Sequence, residues 1–411
     1  MNGEFILKEK LMMISLGLLP LIMVLGNSTL IPLLPNIQQS LGLNELQTGF
    51  ILSAFTIPAA ILIPIAGILS DRYGRKKLIL ISLTFIMVGS VISFLSMVIP
   101  NEAFSILIGG RVIQGMGAAG TTTLAMALVG DVFHNDKRAT ALGLLEVYNG
   151  VGKVIAPIIG ATVGLVIWSA VFIVYPLVAL MAFLGISRYV ENVKGSENVL
   201  GIRAYFQQAF RIVYQRKKEL FPLFFIGGVG LFIVFGVLYF LSFLIQETYH
   251  IDGFFKGTAF FFPLSAMTLA SYWSGKRIKN DEALMKKLML LGTSLLFVTF
   301  GLLIFVHSLS VLMFSLTLAF GGLGFVLPCV NMMITSTASD AERGFVVSLY
   351  GTTRFLGVAL GPIVYGIWMM NEKSMYVYSF LTLLIAGGWL ILRIFNSVDI
   401  GKRKVVKMKS K

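Results

Sequence analysis

Four charged residues stand inside long apolar runs of this chain: Arg111, Glu146, Lys153 and Arg354. In a hydrocarbon-embedded helix each costs about 2.5–3.5 kcal/mol near the centre and less near an end, so the four together weigh on the order of 10 kcal/mol. Charges in that setting are normally paired with one another or face water. They read either as an internal salt bridge or as groups that handle protons, ions or substrate. Glu146, Asn149, Gly150 and Lys153 follow an i, i+3, i+4, i+7 spacing and share one helix face. Glu146 is the only acid well inside a run, which makes it the group expected to take up and release a proton, tuned by Lys153 and Arg111. Asn27, Gln114, Asn149, Asn331 and Arg354 are the polar candidates for lining a cavity. Phe232, Phe235, Tyr239 and Phe243 fall on one helical face. That face reads as lipid contact or helix packing, or as a cavity wall suited to hydrophobic and aromatic solutes.

Other chemistries find little support. Cys329 is the single cysteine, which excludes an intrachain disulfide, and His134, His250 and His307 are too scattered to suggest a metal cluster. Gly150-Val-Gly152-Lys153 resembles a phosphate loop only in part: residue 147 is Val where the first glycine belongs, and Val154 replaces Ser or Thr. No cofactor, metal or enzymatic activity is expected.

The elements that must position these residues are membrane spans. Of 411 residues 57% are apolar and only 13% charged, against about 25% charged in a typical soluble domain. Mean hydropathy is +0.87. A span needs about 20 mostly apolar residues, and twelve stretches qualify: roughly 11–34, 48–69, 78–99, 103–129, 141–164, 167–186, 220–246, 256–274, 284–306, 309–336, 345–369 and 374–395. The first is too long for a signal-peptide core and is expected to be retained. Sorting Lys and Arg by loop puts 28 on the side of the termini, while the opposite loops hold only Lys256 and Lys373. This predicts cytoplasmic termini, by the preference of basic loops for the inner side. It also accounts for the net charge of +14 without nucleic acid. Four segments follow: a six-helix bundle over 1–186, a cytoplasmic linker over 187–219, a second bundle over 220–396 and a basic tail over 397–411. Within the linker Ile202, Tyr205, Phe206, Ala209, Phe210 and Val213 recur at helical spacing, as in an amphipathic helix lying on the membrane surface.

The two halves repeat. A shift of 205 sets Arg138, Gly152 and Pro157 on Arg343, Gly357 and Pro362, and a shift of 208 sets Gly49 and Gly67 on Gly257 and Gly275. Parallel six-span repeats are a transporter signature.

Three motifs sharpen this. Gly67-Ile-Leu-Ser-Asp71-Arg72-Tyr-Gly74-Arg75-Lys76-Lys77 follows the second span. Its acid sits where it could accept hydrogen bonds from a neighbouring helix N-terminus, and its glycines permit close backbone approach. Arg111-Val-Ile-Gln114-Gly115-Met-Gly117-Ala-Ala lies in the fourth span, and Gly152 through Ala156-Pro157-Ile-Ile-Gly160-Ala161 in the fifth. At these residues the chain resembles the major facilitator superfamily, and its twelve-span drug:proton antiporter branch most closely. In the fifth span Ala156 and Ala161 stand where that pattern has glycines. The resemblance implies that Gly67, Asp71, Arg72, Gly74 and Arg75 form a cytoplasmic latch between halves. It implies that Arg111 sits in the cavity and influences proton movement. It also implies that Gly152, Pro157 and Gly160 pack the fifth span against the eighth. Spans 1 and 7 lack the acids that such antiporters often carry, Asn27 being the nearest polar substitute.

The resulting expectation is an all-α membrane protein with twelve transmembrane helices in two pseudo-symmetric six-helix bundles, monomeric, in a bacterial inner membrane. The expected function is proton-coupled export of lipophilic small molecules. The alternative is export of an amphipathic anion such as a lipid or siderophore, because three span cations face one span acid. A membrane enzyme or a non-transporting sensor is the remote alternative.

Overall fold

The computed structural model describes residues 7–133, 135–191, 202–278, 281–305, 308–337 and 340–409. Of the residues named above, His134 and His307 lie outside them. Every regular element among the described residues is helical, as chains immersed in lipid require when their backbone groups must be satisfied internally. The expected spans correspond to α1 (Leu7–Ser28) with α2 (Leu34–Leu41), α3 (Glu45–Tyr73), α4 (Arg75–Leu95), α5 (Ala103–Ala118) with α6 (Thr122–Val132), α7 (Asn135–Val163) and α8 (Val171–Tyr189). After the linker helix α9 (Ile202–Gln215) come α10 (Lys217–Phe243), α11 (Gly253–Arg277), α12 (Glu282–Leu303), α13 (Leu309–Thr337), α14 (Asp340–Trp368) and α15 (Glu372–Lys409).

By length and composition, eleven of these segments can cross a membrane. The exception is α11, at the eighth expected span: it has 25 residues, but Lys256, Thr258, Ser265, Thr268, Ser271 and Ser274 dilute its apolar character. The linker helix forms where the amphipathic pattern places it, with Phe210 and Tyr214 exposed and Ile212 buried. The last helix continues to Lys409, through most of the basic segment.

Local signals fix the ends. Asn44 caps α3 by accepting from the Gln47 amide at 2.8 Å while the Gln47 side chain returns to the Asn44 amide, a reciprocal capping box. Gly74, at φ +95°, makes the abrupt turn from α3 into α4, a conformation that favours glycine. A single π-turn, Leu244–Thr248, ends α10.

By contacts the chain divides into two compact units. One comprises Met1–Phe206, Phe235–Phe261 and Val358–Ile367, and the other Gln207–Val234, Phe262–Gly357 and Trp368–Lys411. The far ends of α10 and α14 and the start of α11 thus pack with the first six spans.

Candidate functional site

The first unit contains a closed polar cluster around Arg111. This side chain is 0% exposed. Its Nη1 donates to Gln114 Oε1 at 2.6 Å, its Nε to the Ile51 carbonyl at 3.2 Å and its Nη2 to Asn27 Oδ1. The guanidinium also lies 4.5 Å from the centre of the Phe55 ring, in cation–π geometry. The partners are themselves held: Gln114 Nε2 donates to Ser90 Oγ at 2.9 Å, and Asn27 Nδ2 to Thr56 Oγ1 at 2.7 Å. Close approach of α3 and α5 makes this possible, because a Cβ at Gly115 would collide with the Phe55 carbonyl. Arg111, Asn27 and Gln114 are therefore brought together, but all three are buried rather than set on an open cavity surface. Every direct partner of the cation is neutral. Thr56 and Ser90 complete the cluster and were not singled out from sequence; their signal was a hydroxyl in the middle of an apolar span.

On α7, Glu146 is exposed and Asn149 donates to it at 3.5 Å, while Lys153 is half-buried on the same face. Two glycines of this helix face another way. Gly152 packs on Leu21, and Gly160 lies so close to the Thr29 carbonyl that a Cβ would clash, so both adjoin the first span rather than the eighth. Pro157 does meet the eighth: its carbonyl, with Ile158 and Ala161, lies against Gly257 of α11, where an added Cβ would stand 2.8 Å from Ile158 Cα.

The turn after α3 is organised by Arg75. This side chain pairs with Asp71 at 3.1 Å and with Asp131 at the end of α6. Asp71 therefore has a side-chain cation as its partner, not a helix N-terminus. Arg72 stacks beside Tyr73 at 5.5 Å, and Lys76 donates to the carbonyls of Ser187 and Val190, the latter at 2.7 Å. The expected close approach at Gly67 is not found, since a Cβ there would meet nothing within 4 Å. Asp131 was visible as an acid at a span end, but nothing in its spacing announced Arg75.

The two cations assigned to the outer loops reduce to Lys373. Lys256 is fully buried in the first turn of α11, donating to Gln246 Oε1 at 2.6 Å and to the Pro32 carbonyl. A hydropathy reading places a lysine at a helix start in solvent, yet here the π-turn that ends α10 and the turn just before α2 enclose it. In the same region Tyr239 is buried and donates to the Glu45 carbonyl at 2.9 Å, with its ring 5.0 Å from that of Phe243. Ser53 donates to the Ala359 carbonyl at 2.6 Å. This half of the aromatic face is packing, whereas Phe232 and Phe235 stay half-buried.

In the second unit Phe232 meets Trp368 edge-on at 5.7 Å, Asn331 is exposed on α13, and Arg354 is half-buried on α14. A nearly wholly apolar cavity of about 400 Å³ is lined by Leu269, Trp273, Leu295, Leu318 and Phe325, among others, and touches none of the candidate residues.

Comparison with known proteins agrees with this architecture. The sequence profile of the Major Facilitator Superfamily matches residues 16–362. The Bacillibactin exporter of Bacillus subtilis (strain 168) is 35% identical over 362 residues, 88% of this chain and 90% of that protein. Multidrug resistance protein 1 of the same strain is 27% identical over 376 residues, 89% and 91% of the two chains. A solved bacterial homologue of the human lysosomal transporter Spinster shares the fold at a TM-score of 0.73, covering 95% of this chain and 98% of that one at 15% identity. With the helical spans, the turn motif and near-complete coverage in agreement, the chain belongs to the Major Facilitator Superfamily and is a multi-pass membrane transporter.

Proposed function

We propose that this transporter exports an amphipathic organic anion of the siderophore kind by alternating access, with protons moving inward. The observation that carries this reading is the charge balance of the spans: apart from the enclosed Arg111, Lys153 and Arg354 are cations, and Glu146 is the only acid well inside. A molecule that chelates ferric iron does so through anionic oxygens, which such a balance favours. The likeness to the Bacillibactin exporter supports the same choice over general drug efflux. Efflux of uncharged lipophilic compounds is the second reading, favoured by the half-buried Phe232 and Phe235 and by the likeness to Multidrug resistance protein 1.

Glu146 is the residue proposed to carry the coupling proton, with Lys153 on its face to tune it. Arg111, enclosed by neutral partners, is assigned to holding spans together. The turn from Gly67 to Lys77 is proposed as the latch that biases one conformer, with both termini on the cytoplasmic side of a bacterial inner membrane. One proton entering against one monovalent anion leaving transfers two charges in the favourable sense. That yields about 4.6 kcal/mol at 100 mV, and each pH unit adds about 1.4 kcal/mol. The sum sustains a gradient of roughly four orders of magnitude.

Everted vesicles containing the protein should accumulate an iron-free siderophore, and an uncoupler should abolish the accumulation. Accumulation of a neutral lipophilic dye but not of the siderophore would favour the second reading.

A further inference from the structure

Among the described residues, two buried donors on α14 have no acceptor. The Arg354 Nε is enclosed without a hydrogen-bond partner, and so is the hydroxyl of Tyr350, a residue 2% exposed. They lie four residues apart and therefore on one helix face, with the Arg354 guanidinium 5.6 Å from the centre of the Tyr350 ring. Among the described residues no carboxylate pairs with Arg354. The neighbours are aromatic or small. Phe224 of α10 flanks the Tyr350 ring at 5.7 Å, and Gly227 leaves room for the hydroxyl, from which an added Cβ would stand 2.6 Å. The 205-residue shift that relates the halves sets Arg354 on Asn149, so the second half carries a cation where the first carries an amide beside Glu146.

A buried tyrosine hydroxyl ordinarily finds a partner. A span cation ordinarily has a counter-ion or faces water, and in its absence marks a functional site. We infer that Arg354 and Tyr350 form an anion subsite that takes an acidic oxygen of the transported molecule, with the aromatic walls of Phe224 and Tyr350 holding its apolar or aromatic body. Arg354 supplies charge and a donor, and Tyr350 a second donor whose bond exists only when ligand is present. The inference rests on the anion-export reading and names the residues that would carry it.

The test is equilibrium binding of 2-naphthoate and its neutral isostere 2-naphthamide to the purified full-length protein in lipid nanodiscs. The wild type should bind the carboxylate at least about tenfold more tightly than the amide. Arg354→Gln should erase that preference, Arg354→Lys should restore part of it, and Tyr350→Phe should weaken naphthoate several-fold while leaving naphthamide unchanged. The Phe variant keeps the ring, so it decides the matter if the Gln variant does not fold. Full preference retained in both Arg354→Gln and Tyr350→Phe would overturn the subsite and leave anion export standing. No preference in the wild type would overturn both.

Discussion

Arg111 and Arg354 are the same residue type, each inside an apolar helix, and their surroundings differ in kind. Arg111 is fully enclosed, and its donors meet a carbonyl and two side-chain amides. Arg354 is half-buried beside a ring, its Nε unmet. A cation whose hydrogen bonds are all made inside the protein serves to tie its helices together: Arg111 joins α1, α3 and α5. A cation with a donor left open has capacity for something that arrives. Position in a span alone does not distinguish the two cases; the inventory of partners does.

Breaking the first site should have the larger effect on stability. Arg111→Ala leaves Asn27, Gln114 and the Ile51 carbonyl short of partners in a dry interior, and should cost about 3 kcal/mol or more. A drop in melting temperature of the detergent-solubilised protein, with reduced membrane yield, would show this. Arg354→Gln should leave melting within the range of ordinary surface substitutions, about 0.5 kcal/mol. Equal destabilisation by the two substitutions would erase the distinction.

The next effect is on coupling. Glu146→Gln should abolish uphill, pH-driven export while sparing downhill exchange of substrate, measured in vesicles with and without an imposed pH gradient. Normal pH-driven export by the Gln variant would remove Glu146 from the proton route, in keeping with its exposed position on α7.

The smallest effect separates two glycines of one motif. Gly67→Ala meets open space and should change melting by no more than about 0.5 kcal/mol. Gly74→Ala forces a side chain into a positive-φ turn and should cost about 1–2 kcal/mol. A thermal scan of both variants makes the comparison.

Most of the fold was legible because hydropathy and loop charge are properties of the chain read in order. The helical pattern of the linker, the turn motif and the span cations belong to that class. Lys256 was misplaced because its enclosure depends on Pro32 and Gln246, which lie far from it or on a preceding helix. Gly67 was misread for the same reason: a motif glycine announces room for approach, and only the neighbouring helices say whether anything approaches. Asp131, Thr56, Ser90 and Tyr350 are unremarkable in sequence and acquire meaning through a partner on another helix, or through the lack of one.

The central claim is that the transported species is an anion driven partly by its own charge, and its dependence on membrane potential tests this most directly. In everted vesicles with equal pH on both sides, a lumen-positive potential set with potassium and valinomycin should raise accumulation of a monovalent anionic substrate. At one proton per anion the rise is two charges' worth, about tenfold per charge for each 60 mV, above vesicles lacking the protein. Accumulation that ignores the potential, or that responds equally for a neutral amide of the same compound, would contradict the account.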